Sequence, residues 1–504
     1  MTASQPETET LVESSFGKGD FARNVLKLAG GAVLAQGITF LVAPVVSRLY
    51  TPATIGTQNV FVSLVSILSV IICLRYEYAI MLPDTDREAA NIAAGSILIA
   101  SLISIATAVI LFWGGPGLTS LLKTPELLPY LWLVPVGLWI QGIFRVMNYW
   151  NSRSKHFGRL SVAQVVASLT TSSAQIGMGV SGQATTGSLI GSWIAGTTAY
   201  TGVLTIQALK GSWRILRDGF RLPYILTGLK RYQKFALIDS WGGFVNALSW
   251  QLPTLMLSSF FSQTIVGYYA LSNRVITMPL TLIGNAIGQV FFQRAAELRQ
   301  DPAKLSTSVR MVFRVLVALG LLPALVLTIA GKELFMIVFG SNWIEAGIYA
   351  QILGLWMFFL FTSSPLGILM PALERQEIAL IMQVVILLTR IAALTIGGAT
   401  HNVYIVLGIW SGTGVLVYGG WTLWNMKIAQ VPLASVWAIL LRYTLRALPF
   451  ASILLVLKIA FHPSPWLIFC AAIGAVGGYY LFLMRQEVDL YRYLLALKDF
   501  RKVS

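Results

Sequence analysis

The sequence predicts an all-α polytopic membrane protein that crosses the bilayer about 14 times. Three observations support this fold class. Hydrophobic residues make up 56% of the 504 residues and charged residues only 11%, with a mean hydropathy of +0.73, which is unlike the composition of a soluble domain. Apolar runs of about 20 residues recur along the chain. Lysines and arginines collect in every second connection between these runs.

The apolar runs give the order of the predicted spans. The first six lie near 25–47, 57–80, 89–113, 127–150, 161–180 and 186–208, and form an N-lobe (25–208). Six more lie near 236–258, 266–292, 309–331, 346–370, 376–398 and 404–426, and form a C-lobe (236–426). A last pair, near 436–460 and 464–484, occupies 427–484. We expect a disordered cytosolic tail at 1–24 and a basic cytosolic tail at 485–504.

The distribution of positive charge predicts the orientation. If the N-terminus is cytosolic, the cytosolic segments hold 23 lysines and arginines, whereas the outer segments hold only Arg48, Lys123 and Lys332. The positive-inside rule therefore places both termini in the cytosol. This topology accounts for most of the formal net charge of +16, so we expect no nucleic-acid partner.

The connection at 209–235 is the longest and the most basic, with seven cations and one acid. Apolar residues lie among its charges, so it is interpreted as an amphipathic helix on anionic lipid headgroups. The alternative is a linker whose charge only fixes the topology.

An internal repeat divides the spans into two groups of six. "SRLYTPATIGTQ" at 47–58 matches "SSFFSQTIVGYY" at 258–269 with an offset of 211 residues. "GLW" recurs at 137 and 354, and "QVV" at 164 and 383, with offsets of 217 and 219. Because six spans return the chain to the same side, the halves should be related by a pseudo-two-fold axis along the membrane normal. Pro44 and Pro253 fall in the first and seventh spans, where proline can bend a helix.

Two charges interrupt the second span, in "IICLRYEYAIML" at 71–82. On a continuous helix, Arg75 and Glu77 would point about 200° apart and would not neutralise each other. A charge at the bilayer centre costs at least about 2.5–3.5 kcal/mol, so each needs water or a partner from another span.

Several segments resemble one transporter family. The pattern Y-W-x-x-R-x-K-x-F occurs at 149–157, together with "LYTPATIGTQNVFVSL", "RYEYAIMLPDTDREAANI" and "FGSNWIEAGIYAQIL". The chain is similar to the oligosaccharide flippase (polysaccharide transport, Wzx-like) family of the multidrug/oligosaccharidyl-lipid/polysaccharide exporter superfamily. The resemblance implies an inner-membrane transporter with a central cavity, which moves a polyprenyl-diphosphate-linked sugar unit from the cytosolic to the outer leaflet. It also implies that residues 436–484 form a lipid-facing groove for the isoprenoid tail.

The same resemblance implies which spans line the cavity, namely the first, second, seventh and eighth. The charged residues on these spans are Lys27, Arg75, Glu77, Asp239 and Arg274. Since guanidinium groups match phosphate oxygens, we predict that cations hold the diphosphate. The predicted set is Arg75 and Arg274, with Lys27, Arg145 and Arg390 as further members. Glu77 and Asp239 would pair with the arginines in the empty state, or couple transport to protons or sodium.

Each of these charges has a simpler interpretation. Lys27 lies near a cytosolic end and can snorkel, while Arg145 can be a positive-inside anchor. Arg75 and Glu77 can form structural salt bridges between neighbouring helices. These alternatives remain open from the sequence.

Other functions are weighed against the flippase. A multidrug exporter of the same superfamily would need an acidic cavity for cationic drugs, but the intramembrane cations outnumber the acids. A membrane enzyme would need a sizeable outer loop, and these loops are short, so we expect no enzyme activity. A peptidoglycan lipid-precursor flippase is the nearest alternative. The chain has no G-x-x-x-x-G-K-[ST] motif for ATP, and its three histidines are not clustered, so we expect no cofactor or metal. The expected partners are the lipid-linked oligosaccharide, membrane lipids, a polysaccharide polymerase and a chain-length regulator.

Overall fold

The computed structural model describes residues 18–218, 221–461 and 463–487. In these residues the regular secondary structure is entirely helical. Helices α1 to α7 are Lys18–Leu49, Pro52–Ser69, Tyr76–Ala79, Asp86–Leu121, Leu133–Arg153, Phe157–Val180 and Thr186–Asp218. Helices α8 to α13 are Leu222–Arg231, Ser240–Phe260, Gln263–Pro279, Asn285–Glu297, Pro302–Phe339 and Ile344–Gly367. Helices α14 to α18 are Leu369–Ala372, Gln376–Gly398, Val403–Ile428, Leu433–Phe461 and Pro465–Gln486. Two π-helical segments, Phe235–Asp239 and Leu280–Gly284, precede α9 and α11.

Local sequence signals fix where several helices begin. The side chain of Thr51 accepts a hydrogen bond from the Thr54 amide at 3.3 Å, and proline follows at the first position of α2. Thr85 caps α4 in the same way, and Asp301 caps α12. Such caps satisfy backbone donors that have no partner within the helix.

The two groups of six spans pack by the same plan. In the N-lobe, α1 packs on α6, α6 on α7, α4 on α5, and α5 on both α2 and α7. In the C-lobe, the equivalent pairs are α9 with α15, α15 with α16, α12 with α13, and α13 with both α10 and α16. Every one of these pairs has its counterpart in the other lobe. The prediction of an all-α fold built from two repeated lobes is therefore confirmed.

The described residues include nine helices that are long and apolar enough to cross a membrane. The chain is therefore a multi-pass membrane protein. The predicted count of about 14 spans is not confirmed. Helices such as α5 and α6 fall outside the nine, and both carry uncharged polar residues, some of which line a cavity described below. Polar residues on an interior face lower the mean hydropathy of a helix without exposing it to lipid.

Symmetry-related hydrogen bonds join the lobes at the end that the charge bias assigns to the outside. The hydroxyl of Ser47 donates to the carbonyl of Phe339 over 2.9 Å, linking the end of α1 to the end of α12. The hydroxyl of Ser258 donates to the carbonyl of Leu122, linking the end of α9 to the end of α4. Ser47 and Ser258 are the matched serines of the sequence repeat. This end of the molecule is closed by the same contact made twice.

Two repeat-related glycines, Gly56 and Gly267, lie where α2 packs against α10. A Cβ atom on Gly56 would overlap the carbonyl oxygen of Gln263, and a Cβ atom on Gly267 would overlap that of Pro52. Only glycine permits this approach of the two backbones. The pseudo-two-fold symmetry that relates the lobes also relates these two contacts to each other.

The last two helices pack against α12, and ion pairs hold them at both ends. Lys458 lies 3.0 Å from Glu333 at one end. At the other end, Glu487 accepts hydrogen bonds from Arg314 and Arg446. Burial opposes the charge of Glu487, but the hydrogen bonds from the two arginines outweigh it and hold the pKa of this carboxyl below its ordinary value.

The basic connection between the lobes is not one continuous amphipathic helix. Helix α7 continues to Asp218 with a kink at Ser212, and the separate helix α8 follows. Ile225 of α8 is buried against Gly95 of α4, while Leu222 and Leu226 are exposed. The contact of α8 with lipid headgroups stays a prediction.

Candidate functional site

The chain between α2 and α3 carries the two charges that interrupt the second span. Helix α2 ends at Ser69, and Leu74 and Arg75 have left-handed backbone angles, with φ values of 47° and 62°. The prediction of a continuous helix across 57–80 was wrong, so the expected 200° separation does not apply. The break has a physical reason, because it lets Arg75 and Glu77 each reach a partner on another helix.

Arg75 connects the two lobes at the end opposite the serine contacts. Its Nε lies 3.5 Å from Oδ2 of Asp239, the residue directly before α9. The guanidinium donates to the Tyr78 hydroxyl and lies 4.9 Å from the centre of that ring. A Cβ atom on Gly243 would overlap the guanidinium, so a glycine in α9 makes room for it. The side chain of Asp239 is 51% exposed, and that of Arg75 only 14%.

Glu77 lies behind this contact and is fully buried. One carboxylate oxygen is 3.5 Å from Nη1 of Arg145, which also donates through Nη2 to the Ser69 hydroxyl over 3.3 Å. Neither oxygen of Glu77 accepts a hydrogen bond from any residue that the structure describes. A buried carboxylate held by one ion pair alone is costly, which is typical of a functional position as well as of a structural ion pair.

Arg274 occupies a different place, between α10 and α1. Its Nη2 donates to the carbonyl of Thr39 over 2.9 Å, and the side chain is exposed. It lies at the edge of a cavity of about 410 Å³ within the N-lobe. Uncharged polar groups from α1, α2, α5, α6 and α7 line this cavity, and among its lining residues Arg274 is the one with a charge.

Arg390 lies in the C-lobe, in a cavity of about 180 Å³. It is 4% exposed and donates to the backbone carbonyl of Ser249, and it lies 3.4 Å from the Tyr418 hydroxyl. Its guanidinium lies 5.4 Å from the ring of Trp250 and 5.9 Å from that of Trp410. Within the described chain it has no carboxylate at ion-pair distance, so the aromatic rings and the hydrogen bonds replace a counter-ion.

The predicted charges therefore occupy three places instead of one. Arg75, Glu77, Arg145 and Asp239 interact as one cluster. Arg274 and Arg390 each line a separate cavity. The backbone of Lys27 belongs to α1, but its side chain is outside the part of the chain that is described. Within 18–218, 221–461 and 463–487, no group of histidine, cysteine or acidic residues is suited to hold a metal.

Reasoning from charge missed the polar lining of the N-lobe cavity. Gln58, Gln141 and Gln175 all face it from α2, α5 and α6. A signal for them exists, since glutamines are rare in apolar spans and recur here on three helices of one lobe.

A family model described as polysaccharide biosynthesis protein (Polysacc_synt_3) matches residues 45–347. The succinoglycan biosynthesis transport protein ExoT of Rhizobium meliloti (strain 1021) is 22% identical over 340 residues, which cover 64% of both chains. The lipopolysaccharide biosynthesis protein WzxC of Escherichia coli (strain K12) is 26% identical over 217 residues, covering 41% of this chain and 43% of that one. The matches thus span less than two thirds of each relative.

Two solved structures share the fold. The lipid II flippase MurJ, in an inward closed conformation, has a TM-score of 0.69 at 10% identity, covering 92% of this chain and 99% of that one. An inward-facing multidrug resistance MATE family transporter of the MOP superfamily has a TM-score of 0.60 at 14% identity, covering 82% and 98%. These two structures show the fold of the chain. Because the family model matches more than half of its length, the chain belongs to the polysaccharide biosynthesis protein family.

Proposed function

We propose that this chain is a flippase that moves a polyprenyl-diphosphate-linked oligosaccharide from the cytosolic to the outer leaflet of a bacterial inner membrane. The product would serve the synthesis of a surface polysaccharide, such as O-antigen, exopolysaccharide or capsule. The names of both relatives support this function, since ExoT is a transport protein of succinoglycan biosynthesis and WzxC a lipopolysaccharide biosynthesis protein. Transport, not catalysis, is the role that this family membership supports.

The position of Arg274 is the observation that carries the proposal. Its guanidinium is exposed at the edge of a polar cavity, close to the contact between the lobes, and no carboxylate lines that cavity. A diphosphate is a dianion whose oxygens match a guanidinium fork. A cationic drug would be repelled from the same place. The sign of the charge thus favours the flippase over a multidrug exporter.

Alternating access follows from the two different ends of the lobe contact. One end is closed by the serine hydrogen bonds and the glycine crossing. The other end is joined by Arg75 and the half-exposed Asp239. An arriving diphosphate competes with Asp239 for Arg75, which weakens the link between the lobes on that side. The acids Asp239 and Glu77 are our candidates for coupling transport to protons or sodium.

Further parts of the proposal concern topology and partners. We assign both termini to the cytosol from the charge bias of the loops. Arg145 would stabilise the carboxylate of Glu77 through their ion pair. Of the residues proposed to bind the diphosphate, Lys27 and Arg390 have the least structural support. A polysaccharide polymerase and a chain-length regulator are the expected protein partners, because a flipped repeat unit must be polymerised.

The experiment that tests this function compares lipid-linked saccharides in cells with and without the gene. Lipids are extracted and analysed by mass spectrometry. Accumulation of one completed polyprenyl-diphosphate oligosaccharide, reversed by the wild-type gene, supports the proposal and identifies the substrate. Accumulation of a peptidoglycan precursor instead would show that the chain is a peptidoglycan lipid-precursor flippase. Unchanged lipids, with altered resistance to organic cations, would show that the cargo is a drug.

A further inference from the structure

The N-lobe cavity has the chemistry of a carbohydrate site. Its wall includes amides, hydroxyls and aromatic rings. All of its lining residues are uncharged except Arg274, which lies at its edge. The lining residues that matter here are Gln58, Gln141, Gln175, Thr171, Tyr200 and Trp193. At about 410 Å³ the cavity lies within the range of ligand pockets, which is about 300–1,000 Å³.

The glutamine amides of this cavity are available for a ligand. The side chains of Gln58, Gln141 and Gln175 are half-buried, and none of them bonds another side chain or backbone group in the described part of the protein. Each amide offers one acceptor and two donors, the pairing that neutral sugar hydroxyls need. Half-buried amides without protein partners retain this capacity for water or a bound ligand.

Aromatic rings lie beside these amides. The rings of Phe144 and Tyr200 are 4.7 Å apart, tilted by 49°, and Trp193 packs edge-on against Phe61. Rings of this kind present an apolar face next to a polar rim. A sugar ring has the matching pair of surfaces, with C–H groups on its faces and hydroxyls around its edge.

The C-lobe cavity provides an internal comparison, because it is built from the repeat-related helices. Tyr200 lines the N-lobe cavity and Tyr418 the C-lobe cavity, 218 residues apart. Two other positions differ sharply in size. Thr39 corresponds to Trp250 at the offset of 211, and Thr171 corresponds to Arg390 at the offset of 219.

These large side chains fill the C-lobe cavity. The guanidinium of Arg390 lies over Trp250 and is 4% exposed. The C-lobe cavity measures about 180 Å³, against about 410 Å³ in the N-lobe. The repeat-related positions therefore carry larger side chains in the C-lobe, and the C-lobe cavity is the smaller of the two.

We propose that the N-lobe cavity binds neutral sugar rings of the lipid-linked saccharide while Arg274 binds the diphosphate. This inference rests on the proposed function and adds a separate saccharide site to it. The glutamine amides recognise sugar hydroxyls, and the diphosphate stays at the edge of the cavity, where the guanidinium lies. The selectivity of the transporter for its repeat unit then resides in α2, α5, α6 and α7.

The test measures binding of two lipids to the purified, full-length protein in detergent. One is undecaprenyl diphosphate, which has no sugar, and the other is the lipid-linked saccharide extracted from the source cells. The wild type should bind the saccharide lipid at least about tenfold more tightly than the bare lipid. Because one lost hydrogen bond is worth about three- to tenfold, Gln141→Leu and Tyr200→Phe should each reduce that ratio by this factor and leave the affinity for the bare lipid unchanged.

The C-lobe supplies the matched control. Gln383 lines the smaller C-lobe cavity, so Gln383→Leu should leave both affinities as in the wild type. The inference is overturned if the wild type binds both lipids equally, or if both N-lobe variants keep the wild-type ratio. A variant that loses affinity for the bare lipid is misfolded, and the other variant then decides. Failure of the wild type to bind either lipid would instead refute the proposed function.

Discussion

Gly56 and Gly267 touch across the crossing of α2 and α10, each against the backbone of the helix that carries the other. They are separated by the same 211 residues as Ser47 and Ser258, whose hydrogen bonds close the same end of the molecule. The residues of this short sequence repeat thus form a symmetric contact between the lobes. The geometry makes this contact the closure on the predicted outer side.

Replacing Gly56 should open that closure. A leucine side chain cannot fit against Gln263, and overpacking costs about 1–3 kcal/mol, which is enough to shift a two-state equilibrium by about 5- to 150-fold. The measurement is labelling of Val42→Cys in the N-lobe cavity by an impermeant maleimide added outside, in a Cys470→Ser background. We expect faster labelling in Gly56→Leu. Gly408→Leu, whose site has open space, is the control; equal labelling of the two variants would refute the closure.

The ion pair between Arg75 and Asp239 should hold the two lobes together on the predicted cytosolic side. Because Asp239 is half-exposed, the pair is worth about 1 kcal/mol or less. Removing either partner should therefore raise labelling of Val42→Cys up to about fivefold when the maleimide is on the cytosolic side of inverted vesicles. A double-mutant cycle with Arg75→Ala and Asp239→Asn isolates the pair. If the two substitutions have additive effects, this ion pair does not hold the lobes together.

The sequence predicted the repeated architecture well, and the site only in part. The offset of 211 residues between Ser47 and Ser258 was visible because both lie at the ends of spans, where polar residues stand out. The break at Arg75 was missed because hydropathy averages over a window and does not detect two left-handed residues, Leu74 and Arg75. Arg274 and Arg390 both lie on C-lobe helices, but Arg274 lines a cavity of the N-lobe and Arg390 a cavity of the C-lobe. This separation depends on which neighbouring helices each side chain faces, and charge alone carries no such information. The polar wall of the N-lobe cavity was missed because all of its lining residues except Arg274 are uncharged.

Glu77 and Arg145 should stabilise the protein only as a pair. Leaving one buried charge without its partner costs about 3–5 kcal/mol, whereas replacing both with apolar residues is often neutral. Glu77→Ala should thus lower the thermal unfolding temperature markedly, and the double variant Glu77→Leu with Arg145→Leu should recover most of the loss. Thermal unfolding in detergent measures this. A double variant less stable than Glu77→Ala would contradict the pairing.

Glu487 should stabilise the docking of α17 and α18 in a pH-dependent manner. Its pKa is lowered in the folded protein, so its contribution is fully present above the ordinary pKa of a glutamate, near 4.5, and is lost as the pH falls through the lowered value. Hydrogen bonds to charged groups are worth about 1.5–3 kcal/mol. Glu487→Gln should therefore reduce stability by about this amount at pH 7 and less at pH 3.5.

The control for Glu487 is Glu297→Gln, which removes an exposed ion pair with Arg294 on α11. It should change the unfolding temperature little at either pH, because exposed pairs are worth about 0–1 kcal/mol. A loss of stability in Glu487→Gln that is the same at pH 7 and pH 3.5 would mean that the carboxylate charge is not what holds α18.

The role of Arg274 is tested most directly by lipid analysis in cells that lack the chromosomal gene and carry one of three versions on a plasmid: wild type, Arg274→Ala, or the exposed control Arg310→Ala. All three must reach equal levels in the membrane. Mass spectrometry then measures the polyprenyl-diphosphate oligosaccharide that accumulates on the cytosolic leaflet. We predict accumulation with Arg274→Ala, as in cells without the gene, and none with the other two versions. Normal lipid levels in cells with Arg274→Ala would contradict a diphosphate site at this residue.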